Sequence, residues 1–138
     1  MESTGMNGSG IFPTSVTLNS RRRALRVALG KEPADCILHG GRVLNVFSGK
    51  WEETDVAVSG ELIAATGSNL KGTERIDLAG EFLVPGFIDA HIHLESTHLW
   101  LYEISRLMLA HGVTTVVADP HEMANVAGLD GVMAMIKA

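Results

Sequence analysis

PGFIDAHIHLE, running from Pro85 to Glu95, decides how the rest of the chain is read. Pro85-Gly86 breaks whatever precedes it, and a short, mostly apolar run follows. Read as a strand, it sends successive side chains to opposite faces. Ile88, Ala90 and Ile92 then share one face, which suits burial against helices. Asp89, His91 and His93 share the other. Apolar packing alone does not set a carboxylate and two imidazoles in a row. Imidazoles at i and i+2 converge on one side of a strand, and histidine is a common ligand of Zn, Fe, Ni and similar ions. The competing reading is a pair of strand histidines satisfied by hydrogen bonds. It must meet the cost of burying imidazoles that lack partners.

Downstream, residues 97–111 read as a helix, with Trp100, Ile104, Leu107, Met108 and His111 on one face and Gly112 as its C-cap. Residues 113–119 read as a second strand that Pro120 ends, with Thr115, Val117 and Asp119 facing one way. Gly128-Leu129-Asp130-Gly131 opens a last helix, whose Leu129, Val132, Met133 and Ile136 fall at i, i+3, i+4 and i+7. Strand, helix, strand, helix predicts parallel strands joined by a right-handed crossover. In parallel sheets built this way, ligands and reactive groups sit at the carboxyl ends of the strands. His91, His93 and Glu95 lie at the end of the first strand, and Asp119, His121 and Glu122 at the end of the second, so the six are expected to cluster. Each carboxylate has a plainer reading: Glu95 as a helix-entry residue, Asp119 as a loop residue, Glu122 as a charge at a helix N-terminus. His39, His98 and His111 read as structural.

Upstream, residues 1–19 are rich in Gly, Ser and Thr with one charge at Glu2, and predict a disordered tail. Residues 21–29 read as a short helix that Ser20 caps and Gly30 ends, with Leu25 and Leu29 on one face and the Arg21-Arg22-Arg23 cluster solvated. Residues 34–84 change pattern. Short apolar runs at 36–39, 42–46, 55–58, 62–65, 75–78 and 81–84 are divided by Gly40-Gly41, Ser59-Gly60 and Ala79-Gly80, which read as hairpin turns. This predicts a small, mostly antiparallel β module, so the chain divides into residues 20–84 and 85–138.

The 138 residues are 46% hydrophobic and 20% charged, a composition that supports a folded core. A net charge of −5 argues against nucleic-acid binding, which needs a clustered basic face. One cysteine, Cys36, allows no internal disulfide and reads as a buried structural thiol in a reducing compartment. No apolar run approaches the roughly 20 residues that span a bilayer, and no secretory signal is visible. A cytoplasmic location follows as the expectation. The stretch after Pro85 suffices for two βα units. The last residues fall inside a helical pattern without a cap, which predicts the front part of a longer protein or a truncated gene product.

The string PGFIDAHIH resembles the first barrel strand of the amidohydrolase superfamily, the metal-dependent hydrolases on a (β/α)8 barrel. HIHLEST (residues 91–97) and HGVTTVVADPHEMANVAG (residues 111–128) are more similar to the adenine deaminases than to other members, and residues 21–49 look like that group's N-terminal region. The resemblance implies an α/β fold: an N-terminal β-sandwich portion, then the first two βα units of an incomplete (β/α)8 barrel. It implies that His91 and His93 bind the first metal of a dinuclear centre, with Mn or Fe expected and Zn the alternative. Asp89 then supports a histidine, Glu95 binds substrate or supports the metal, and Asp119, His121 and Glu122 line the pocket. The implied reaction is hydrolytic deamination of adenine, a purine base, to hypoxanthine and ammonia. The remaining catalytic groups are expected on later strands, in the C-terminal part of the barrel that would partner this segment, and the full-length form is expected to be a homo-oligomer. Two alternatives stand beside it: a non-catalytic remnant acting as a metal-binding or interaction module, and another amidohydrolase of the dihydroorotase or deacetylase kind.

Overall fold

A computed structural model describes residues 16–138; the expected disorder of residues 1–15 lies outside the described residues. The chain divides between Val84 and Pro85 into two compact units, each described by itself. Among the described residues no helix is long and apolar enough to cross a membrane.

The first unit opens with α1 (Leu18–Ala28), which begins three residues before the sequence reading placed it. The N-cap is Thr17, not Ser20. The Ser20 N–H donates to Thr17 Oγ1 (3.1 Å) and the Thr17 N–H to Ser20 Oγ (3.3 Å), a reciprocal capping box. The boundary of the expected tail is corrected accordingly, since Leu18 and Asn19 are helical. The expected apolar face is also corrected: Leu25 and Leu29 are exposed, while Ala24 and Val27 are buried. Small residues face the sheet because α1 packs closely on β4 and β5 (Asp55–Ser59 and Leu62–Gly67). Val27 joins Ala34, Ile37 and Ala57 in the core, with Ala64, Ala65 and Leu70 against them.

A four-stranded sheet has the order β5-β4-β1-β6, with β1 at Ala34–His39 and β6 at Gly72–Asp77. A three-stranded sheet has the order β3-β2-β7, with β2 at Arg42–Asn45, β3 at Lys50–Glu53 and β7 at Phe82–Leu83. Two pairings are parallel, β1 with β6 and β2 with β7. Of the three glycine turns, only Ser59-Gly60 closes a hairpin between neighbouring strands. Gly40-Gly41 and Ala79-Gly80 are corners instead. They pass the parallel pair β1/β6 on to the parallel pair β2/β7, and the Gly80 N–H donates to the Gly40 carbonyl (2.7 Å) where the two corners meet. A Cβ on Gly41 would stand 2.8 Å from the Glu81 carbonyl oxygen, so the crossing needs glycine there. Strand β3 escaped the sequence reading because KWEE is wholly exposed and shows no alternation. Cys36 is half-buried on β1 rather than fully buried.

The second unit runs β8 (Phe87–Ile92), α2 (Leu101–Ala110), β9 (Val113–Ala118), α3 (His121–Lys137). Strands β8 and β9 are parallel, with Phe87 opposite Val113 and Ile92 opposite Ala118. Helix α2 lies against β9. It starts at Leu101 because a 3-10 turn at Glu95–Thr97 and a left-handed His98 (φ 57°) intervene. Helix α3 is two helical stretches that meet at Gly128, whose φ of 60° and ψ of −155° are not helical: one begins at His121, and the other opens where the sequence placed the last helix. Its buried residues are Gly131 and Met135; Leu129 and Ile136 of the expected face are exposed. Ile88, expected to be buried against helices, is 66% exposed, because among the described residues β8 has β9 as its one paired strand.

Candidate metal centre

The site grows from the ends of β8 and β9. The Asp119 N–H donates to the Ile92 carbonyl (3.1 Å), which carries the parallel ladder one step past both strands. That step sets His93 beside Asp119. The His93 Nδ1 lies 3.1 Å from the Asp119 main-chain oxygen. The His121 Nδ1 lies 3.1 Å from Asp119 Oδ2. One residue therefore holds an imidazole from each strand end. The rings of His93 and His121 have centroids 4.8 Å apart, as do those of His91 and His93. His93 stands between the other two.

Glu95 links the same two segments. Its Oε1 accepts the N–H of Met123 (3.2 Å), one of the free donors in the first turn of α3. Its Oε2 is buried and has no hydrogen-bond partner. The carboxyl is held below the ordinary carboxylate range. The main-chain N–H of Glu95 itself lowers it most, and burial opposes this. The Met123 N–H and the nearby His93 and His121 add to the lowering. Glu122 occupies the first turn of α3, and its Oε1 accepts from Ser96 Oγ (2.8 Å). A ligand-type atom from each of His93, His121 and Glu122 falls within 4.8 Å of the others.

The structure thus brings His93, Glu95, Asp119, His121 and Glu122 together, with His91 ring-to-ring against His93. Asp89 does something different from orienting an imidazole: its Oδ1 accepts the main-chain N–H of His91 (3.2 Å). It fixes the backbone from which His91 projects. His111, set aside as structural, bonds through Nδ1 with the Leu107 carbonyl (2.8 Å). Ser96 was missed. No spacing rule marks a serine whose partner lies 26 residues away.

Two imidazoles and carboxylates at strand ends form a nitrogen and oxygen donor set suited to divalent transition ions. The orphaned Glu95 Oε2 fits such an ion, because a buried carboxylate oxygen without a donor is costly.

Residues 82–138 match the model of the Amidohydrolase family. Over 122 residues, 88% of its length, the chain is 46% identical to an adenine deaminase of Oceanobacillus iheyensis, of which it covers 21%. It is 50% identical over 111 residues, 80% of its length, to an adenine deaminase of Kosmotoga olearia, of which it covers 19%. Among solved structures, a D-aminoacylase described for its binuclear metal center matches with a TM-score of 0.54 and 40% identity, over 62% of this chain and 18% of that one. The same enzyme has been solved in complex with copper chloride. The chain spans about a fifth of the length of the curated relatives it matches. The resemblance carried by PGFIDAHIH and ADPHE is borne out as a similarity: the chain is similar to adenine deaminases over part of their length.

Proposed function

We propose, for this adenine-deaminase-like amidohydrolase sequence, the hydrolytic deamination of adenine: water supplies oxygen to C6, the C6–N bond breaks, and hypoxanthine and ammonia leave. In this reading the β module belongs to an N-terminal β-sandwich, and residues 85–138 are the first two βα units of a (β/α)8 barrel. The rest of the barrel partners this segment and brings the remaining catalytic groups. The full-length form is a cytoplasmic homo-oligomer.

One observation carries the reading. Three imidazoles, His91, His93 and His121, stand together at the carboxyl ends of two adjacent parallel strands. That is where barrels of this kind carry their chemistry. His91 and His93 hold a divalent ion, Mn or Fe, with Zn the alternative. Bound there, such an ion supplies the Lewis acidity that makes water a nucleophile near neutral pH. Asp89 fixes the main chain at His91. Asp119 orients His93 and His121. Glu95 ties the loop after β8 to the start of α3 and leaves Oε2 buried without a hydrogen-bond partner. Each of these contacts keeps a donor atom in place before substrate arrives, which is what preorganisation requires.

The test is hypoxanthine formation from adenine with added Mn. The chain alone is expected to show no turnover. Joined to residues corresponding to the rest of a relative's length, it is expected to turn over, and His91→Ala or His93→Ala to lower the rate by about a thousandfold or more. Robust turnover by the 138 residues alone would overturn the division of labour. A joined protein that ignores adenine would overturn the substrate. The likeness to D-aminoacylase favours one second reading, hydrolysis of an N-acyl amide, and an N-acyl-D-amino acid offered in the same assay separates the two.

A further inference from the structure

We infer that the outer face of α1 docks on an anionic membrane surface: Leu18, Leu25 and Leu29 enter the headgroup layer, and Arg21 and Arg22 bind lipid phosphates on either side of them. This goes beyond the metal centre and rests on neither the ion nor the substrate.

Helix α1 is apolar on two opposite sides. Its inner side, Ala24 and Val27, is buried toward β4 and β5 and holds the helix flat on the sheet. Its outer side carries the large residues. Leu18, Leu25 and the C-cap Leu29 are 65%, 60% and 59% exposed. At 3.6 residues per turn the three fall within about 40° of one another, in a stripe about 16 Å long. A single exposed leucine needs no explanation, but three in line form a patch. Charge says what covers it. The helix holds four arginines and no acidic residue, in a chain of net charge −5. Arg23 is paired with Asp35, and Arg26 with Glu32. Arg21 and Arg22 are exposed and have no ion-pair partner among the described residues. The same helical spacing puts Arg21 along one border of the leucine stripe and Arg22 along the other. Both also sit near the positive end of the helix dipole, where a cation is unfavourable and an anion is favoured. Leucines between two unpaired guanidiniums match hydrocarbon beneath a plane of phosphates. A second copy fits this face poorly, since an isologous contact would set the unpaired arginines of both copies against each other. A cytoplasmic protein meets such a surface at the anionic inner leaflet. One short helix with three leucines binds reversibly and depends on lipid charge.

Co-sedimentation of the chain with vesicles tests the docking. Vesicles of phosphatidylcholine alone are compared with equal parts of phosphatidylcholine and phosphatidylserine. The parent is expected to sediment with the anionic vesicles, to stay in solution with the neutral ones, and to be released by about 0.5 M salt. The double variant Arg21→Gln/Arg22→Gln is expected to lower the partition by about tenfold or more, and Leu25→Ser/Leu29→Ser to do the same. All four side chains are exposed, so neither variant removes core, and unchanged far-UV circular dichroism checks this; should one variant fail to fold, the other decides. Binding that survives both variants would lie on another face, such as the apolar side chains of the second unit, and would overturn the inference. Equal binding to neutral and anionic vesicles would overturn the role of the arginines and with it the anionic surface. A parent that stays in solution with anionic vesicles overturns the proposal outright, and capture of an acidic amphipathic peptide in their place would give the face to a protein.

Discussion

At the scale of single residues, the first unit turns on Asp35. Its carboxylate takes both Nη atoms of Arg23 (2.7 and 2.5 Å) and the Gly60 N–H (2.7 Å), while Arg23 also reaches Ser59 Oγ (2.9 Å). Helix α1, strand β1 and the β4–β5 hairpin are therefore tied at one point. The Arg23 hydrogen bond, followed by that of Gly60, holds the Asp35 carboxyl down to about 2. A carboxyl depressed in the folded state adds stability above its unfolded value of about 4. That contribution is lost as pH falls from about 4 to 2. Denaturant midpoints taken from pH 6 to pH 2 should show the parent falling toward an Asp35→Asn variant across that window; parallel curves would refute the linkage. Ile37 gives the apolar counterpart. It is fully buried among Val27, Ala34 and Ala57, so Ile37→Ala should cost about 2–5 kcal/mol in urea unfolding.

At the scale of elements, the pairing of β8 with β9 depends on Gly86. A Cβ there would stand 2.2 Å from Thr114 Oγ1 and 2.3 Å from its Cγ2, closer than atoms can approach. Gly86→Ala should lower the thermal midpoint through an overpacking cost of about 1–3 kcal/mol. Thr114→Gly in the same chain should recover most of it, and no recovery would place the strain elsewhere. The same strand shows why the sequence was legible where it was. FIDAHI forms strand β8 as its alternation predicts, though burial along it does not alternate, and Gly112 and Pro120 mark real boundaries. The helix faces were not legible. Leu25, Leu29 and Leu129 have the right spacing, but close approach of backbone to backbone is made by Ala24, Val27 and Gly131 instead. The glycine pairs were read as hairpins because a local turn signal does not say which sheet the next strand joins. Within the site, the two His-bearing segments could be found from their residue types. The bonds of His93 to Asp119, of Ser96 to Glu122 and of Glu95 to Met123 could not, since they join residues 26 to 28 positions apart.

At the scale of the whole molecule, large apolar side chains remain uncovered in the second unit. Phe87, Ile88, Val126 and Leu129 are 62%, 66%, 88% and 75% exposed. Exposed apolar surface of this kind marks an interaction face, and the chain spans about a fifth of its curated relatives. The chain is expected to bind an apolar dye such as anilinonaphthalene sulfonate, and Val126→Glu with Leu129→Glu to reduce the fluorescence without lowering the thermal midpoint; unchanged fluorescence would show that these side chains are not the dye's site. The imidazoles proposed as ligands, by contrast, lie at two strand ends that this chain carries itself. The most direct test is electron paramagnetic resonance of Mn(II) titrated into the chain. The imidazoles of His91 and His93 should bind the ion and suppress the sharp signal of free Mn(II), and the His91→Ala/His93→Ala double variant should leave that signal intact. Equal signals from the parent and the double variant would contradict the account.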